Sequence, residues 1–204
     1  MSGVPTFSPR QFLKSREALL VHFNTTMTRH PTGFPKDLHD ARKLVATEIP
    51  FSTIQVADKG PWQVQPPSDA NVVGSVGLIV DIKDVGSVTS VGYCDIGSNS
   101  RIAGYSRGLG QPPSDRTCAE SIDRRGPKGH NEWVVQDYTV LGIFIFLPAG
   151  VFIVGSGERD CFLPEVLGTF PNDRIISVLN GDFVEYDRGN GSWVTVPHAN
   201  IVPP

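Results

Sequence analysis

The chain reads as an α+β domain built on a split, mostly antiparallel β-sheet with a few N-terminal helices. Helical patterns come early and strand patterns late, which is not the strand–helix–strand alternation of a parallel sheet. Val, Ile and Phe gather in short apolar runs, as in buried strands. Gly 21 and Pro 17 in 204 residues supply frequent turns. No composition break marks a boundary, so residues 1 to 204 are expected to form one domain.

The first helix is predicted from Ser8-Pro9-Arg10-Gln11. Ser8 can cap, Pro9 suits the first helical position, and Gln11 has the capping-box spacing. The helix should end near Arg16. Ala18 to Phe23 then reads as a buried strand. A second helix is expected from Pro35, with Leu38, Ala41, Leu44 and Val45 on one face. Ile49 to Val56, Val76 to Ile82 and Val88 to Cys94 are strand candidates, and residues 57 to 75 a Pro-rich loop.

Residues 95 to 130 carry Gly, Ser, Pro, Arg and Asp with little apolar pattern. A loop of that length is functional or disordered, and here it is expected to face substrate. Strands should follow at Glu132 to Val135, Thr139 to Phe146 and Val151 to Val154. Three more are expected at Ile175 to Val178, Phe183 to Tyr186 and Trp193 to Val196. Asn190-Gly191 is the hairpin signal between the last two.

Net charge is -3, so the chain as a whole is no generic polyanion binder. Cys94, Cys118 and Cys161 have no metal-ligand spacing and read as free thiols in a reducing, cytoplasmic setting. The 5 histidines are scattered, and no metal site is expected. Residues 138 to 157 carry no charge, but Leu147-Pro148-Ala149-Gly150 breaks the run. A spanning helix needs roughly 20 continuous apolar residues, so two short strands fit better and no membrane is expected. The first residues lack the apolar stretch of a secretory signal. Neither GxGxxG after a strand nor GxxxxGK[ST] occurs.

Three segments carry candidate chemistry. The first is Leu20-Val21-His22-Phe23-Asn24-Thr25, an apolar strand with a histidine. The second is Pro50-Phe51-Ser52-Thr53. The third is His130-Asn131-Glu132-Trp133, which opens a late strand. In this order they resemble the ADP-ribosyltransferase fold. The third segment is most similar to the DarT-type DNA ADP-ribosyltransferases, in which a basic stretch precedes a Glu-containing apolar strand. Here that stretch is Arg124-Arg125, and the run continues to Val140-Leu141-Gly142-Ile143. The resemblance covers residues 18 to 25, 49 to 56 and 120 to 146. Asn24-Thr25-Thr26 departs from the family's residues after the first-strand histidine.

The resemblance implies a toxin-like transferase that uses NAD as substrate. Breaking the bond to nicotinamide builds positive charge on the ribose, as in glycosidase transition states. A fixed carboxylate stabilises that charge. Glu132 would be that group. His22, with Asn24 and Thr25 beside it, would contact a ribose. Ser52 and Thr53 would support the nicotinamide side or orient Glu132, and Tyr105 or Tyr138 would stack on nicotinamide.

Acceptor contacts would come from Arg107, Arg124, Arg125 and His130. Residues 101 to 128 hold six basic and three acidic side chains, a local +3 suited to a phosphate backbone. The implied acceptor is single-stranded nucleic acid or a protein, and a neutralising antitoxin or immunity partner would fit a toxin.

Each residue also has a plain structural reading. A strand histidine is commonly a satisfied core or edge residue, and a strand-start glutamate a solvated end. Two other functions stay open. One is an NAD-independent ribonuclease-type toxin using His130, Glu132 and the loop arginines. The other is a non-enzymatic β-rich binding or immunity protein, for which the acidic C-terminal stretch would serve.

Overall fold

The computed structural model describes residues 7–27, 36–58, 71–83, 85–93, 110–124, 131–146, 151–154, 157–160 and 163–203. Among them run α1 (Pro9–Ser15), β1 (Leu19–Met27), α2 (Lys36–Lys43), β2 (Ile49–Ile54), β3 (Asn71–Ile82) and β4 (Val88–Gly92). Then come α3 (Asp115–Asp123), β5 (Glu132–Val135), β6 (Tyr138–Ile145), β7 (Val151–Val154) and β8 (Gly157–Asp160). α4 (Leu163–Thr169), β9 (Ile175–Leu179), β10 (Asp182–Asp187), β11 (Ser192–Thr195) and α5 (His198–Ile201) complete the order. The class is α+β, as the sequence implies.

Nine strands form one mixed sheet in the order β11-β10-β9-β6-β3-β1-β2-β5-β4. Its described pairs are antiparallel except β6–β9, which is parallel. β7 and β8 form a separate antiparallel pair. The helices are not confined to the N-terminal part, since α3, α4 and α5 are interspersed with the later strands.

α1 starts as its sequence dictates: Ser8 Oγ accepts from the Gln11 amide, and Pro9 occupies the first turn. It ends with Glu17 at φ 47°, where Glu17 N donates to Lys14 O and Ala18 N to Leu13 O. That pair of bonds closes a Schellman end without glycine. At the other end of the chain, Asn180 (φ 54°) and Gly181 (φ 87°) link Leu179 to Asp182. Positive φ at both positions is the two-residue type I′ turn, for which Asn-Gly is the preferred pair.

The central strands are buried on both faces and are apolar on both sides, while the edge strand β11 is largely exposed. One face carries Leu20, Phe51, Leu78, Val91, Trp133 and Tyr138, packed under Phe12 and Leu13 of α1, Leu38 of α2 and Cys118 and Ile122 of α3. The other carries Leu19, Val21, Phe23, Ile79, Phe144 and Ile176 beneath Ile201 and Val202. On this second face Phe23 stacks on Phe146 at 5.6 Å, and Phe144 meets Phe146 edge-on at 4.8 Å. Such offset and edge contacts add to the area buried by each ring.

Candidate functional site

The candidate residues sit on three adjacent strands, β1, β2 and β5. Val21 pairs with Ser52, Phe51 with Trp133, and Gly92 with Glu132. Side chains alternate between faces along each strand. The β2–β5 register therefore sets Ser52 beside Glu132, in one row with Val21 and Gly92. This row lies on the second face.

Glu132 is only 8% exposed. A carboxylate so deeply placed on an interior strand has lost most of its water, and the field it exerts is correspondingly less screened. Ser52, 2% exposed, donates from Oγ to the Asn131 carbonyl at 2.9 Å, which ties β2 to the residue just before Glu132.

The neighbours of Glu132 face the other way. Asn131 Oδ1 accepts from Thr53 N at 2.8 Å, and its Nδ2 donates to Thr53 Oγ1 at 2.7 Å and to Ser121 O at 3.0 Å. Trp133 Nε1 donates to Ser121 Oγ at 2.9 Å. Thr53, Asn131 and Trp133 are each 0% exposed. This knot is polar, buried and hydrogen-bonded, the condition under which buried amides and hydroxyls are tolerated.

His22 lies on the first face, the side away from Glu132. Its ring packs against Phe51 at 5.6 Å, and Nδ1 donates to the Pro50 carbonyl at 2.7 Å. The expected joint placement of His22 and Glu132 at one ribose is therefore not produced by the sheet. One residue of register decides it, because neighbouring positions on a strand point to opposite sides. Of Asn24 and Thr25 only the backbone is described, in β1.

Tyr138 is held in the core and not presented to a ligand. It is 1% exposed, its hydroxyl donates to Ala41 O at 2.5 Å, and its ring meets Phe51 at 5.2 Å. Burial pushes its phenol up to about 12. Tyr105, Arg107, Arg125 and His130 lie outside the described residues. Arg124 caps the C-terminus of α3 at the surface and reaches Glu120 at 3.9 Å. The loop expected over residues 95 to 130 contains α3, started by a Ser114–Thr117 capping box. The Ser-x-x-Thr spacing and the apolar positions Cys118 and Ile122 were the available signal.

Cys118 is buried and unbridged, and burial pushes its thiol up to about 12. It is thus unsuited to act as a nucleophile at neutral pH. Among the described residues no three His, Cys, Asp or Glu side chains are grouped to hold a metal, and no helix is long and apolar enough to cross a membrane.

A separate open groove of about 630 Å³ lies at the β9–β11 end, lined among others by Asp173, Arg174, Glu185, Asp187, Arg188 and Val194. Its charged side chains are engaged in hydrogen bonds. Arg174 grips Glu185 through two bonds of 2.9 and 2.6 Å, and that contact raises the guanidinium pKa. Arg188 donates to the Phe170 and Asp173 carbonyls. Asp187 closes its own turn by accepting from Gly189 N and Asn190 N, which lowers its pKa. The groove lies far along the sheet from β5.

No protein-family model, curated protein or solved structure matches the chain.

Proposed function

We propose that this chain cleaves NAD and transfers ADP-ribose to a macromolecular acceptor, with Glu132 as the carboxylate that faces the ribose. The observation that supports this most is the placement of Glu132. It is a nearly dehydrated acid at the head of an interior strand, beside Ser52 and opposite Gly92. In the reaction the bond between ribose C1 and nicotinamide breaks, and its electron pair leaves with nicotinamide. The ribose becomes cationic, and Glu132 lowers the energy of that state. A nucleophile on the acceptor then bonds to C1 and releases its proton to solvent. Ser52 orients the strand next to the acid. His22 has no part at this centre, since it faces the opposite side of the sheet.

The separation of His22 from Glu132 favours a second reading, a non-enzymatic β-rich binding protein in which Glu132 is a structural charge. One experiment distinguishes the two. The chain is incubated with NAD labelled on its adenylate, with single-stranded DNA, RNA or cell lysate. Nicotinamide release with label on an acceptor supports the transferase. Degraded RNA whether or not NAD is added points to a ribonuclease-type toxin. No reaction in any arm leaves the binding protein.

A further inference from the structure

We propose that Ser121, on α3, is a positioning residue for Glu132, acting through the two residues that flank it; this rests on the reading of Glu132 above. Ser121 touches both flanks. Its carbonyl accepts from Asn131 Nδ2 at 3.0 Å, and its Oγ accepts from Trp133 Nε1 at 2.9 Å. The same Oγ donates to Cys118 O at 2.8 Å, so the hydroxyl is held in one rotamer.

Ser121 is 1% exposed, and both partners are fully buried, so water cannot replace either bond. α3 is itself anchored. Gln111 and Val91 exchange backbone bonds of 2.8 and 2.9 Å just ahead of its capping box, and Val91 pairs with Trp133. Trp133 is further pinned by Phe12, whose ring lies 6.5 Å away.

The consequence is geometric. Asn131 and Trp133 point to the α3 side, so the residue between them must point to the other. A helix on one face thereby sets the aim of a carboxylate on the opposite face. A shift of either flank turns the Glu132 side chain, and a misplaced charge loses transition-state stabilisation steeply. A plain core role for Ser121 would cost stability without changing how Glu132 works.

Ser121→Ala in the full chain tests this. Amide exchange across Glu132–Val135 is expected to quicken about tenfold, on the scale of one buried hydrogen bond, while β9 and β10 are unchanged. The kcat for nicotinamide release should fall by a similar factor with KM for NAD unchanged. Trp133→Phe deletes the same bond from its other end and carries the same readouts if Ser121→Ala does not fold. The double variant should lose no more kcat than the worse single variant. Unchanged β5 exchange, wild-type kcat in a folded Ser121→Ala, or additive losses in the double variant would overturn the role. A wild-type chain that releases no nicotinamide overturns instead the reading of Glu132. The exchange experiment then still decides whether Ser121 clamps β5.

Discussion

Asn131 and Thr53 close a ring of two hydrogen bonds across β2 and β5: Oδ1 accepts from Thr53 N at 2.8 Å and Nδ2 donates to Thr53 Oγ1 at 2.7 Å. Both residues are 0% exposed. The ring fixes the strand pair that carries Ser52 and Glu132. Replacing Asn131 by Ala removes three hydrogen bonds from a dry interior, those to the Thr53 amide, the Thr53 hydroxyl and the Ser121 carbonyl. The expected cost is about 3 kcal/mol, since each buried hydrogen bond lost costs roughly 1 kcal/mol. A urea unfolding midpoint compared with wild type measures it. A loss under about 0.5 kcal/mol would mean the ring is not formed, because that is the scale of ordinary surface substitutions.

Gly142 lets β6 and β9 approach. A Cβ there would sit 2.7 Å from Arg174 O, a backbone atom that cannot swing aside and that accepts from Ile143 N at 2.9 Å. Gly142→Ala should therefore part the parallel β6–β9 pair and cost about 2 kcal/mol, in the range for overpacking. Thermal unfolding reads the loss. Faster amide exchange at Ile175 and Ile176 locates it. An unchanged melting temperature would refute the contact.

Ser177 presents the opposite case. It is 0% exposed, and its Oγ has no hydrogen-bond partner among the described residues. A buried hydroxyl without a partner is a cost, so Ser177→Ala should leave stability unchanged or raise it by up to about 1 kcal/mol. Chemical denaturation of the two chains side by side decides it, and a clear loss would show that the hydroxyl is bonded.

Stability should fall in mild acid through His198. Its ring packs near Phe183 and its Nε2 lies 3.3 Å from Ala18 O. Burial is the main cause that lowers its pKa, partly opposed by the Ala18 carbonyl and by Glu17 and Asp81, while Lys14 adds to the lowering. A lowered folded pKa means the unfolded chain binds the proton more tightly. Its contribution is thus fully present above the unfolded value, about 6.5, and is lost as pH falls toward the folded value. Melting temperatures between pH 7.5 and 5 should drop, and His198→Gln should flatten that slope. Equal slopes would place the titration elsewhere.

Much of the fold can be read from local sequence. Ser8 and Pro9 announce α1, and the runs around Leu20, Phe51, Ile79 and Phe144 announce their strands. Their apolar character on both sides also foretells a sheet covered on both faces. Other elements are hidden by composition. α3 sits behind Pro112-Pro113 among Arg and Asp residues, so only its capping box and two apolar positions mark it. β8 is the polar run Gly157–Asp160, which pairs with β7 in spite of its charges.

The candidate site was legible in its residues but not in its geometry. Glu132, Ser52 and Thr53 are on neighbouring strands, as their order suggests. Which face each side chain takes depends on strand register, and register is set by partners distant in the chain. That is why His22 and Glu132 part company, and why the roles of Asn131 and Ser121 are not legible in the sequence. Their importance lies in mutual hydrogen bonds that no spacing within one segment encodes.

The most direct measurement is nicotinamide release from NAD by wild type and Glu132→Gln, under identical conditions and with matched unfolding midpoints. Gln keeps the size and removes the charge. Release by wild type that falls about hundredfold in the variant is predicted, the scale of removing one preorganised charge partner. Equal release by both chains, or none by wild type, would contradict the assignment of Glu132 as the acid that meets the ribose.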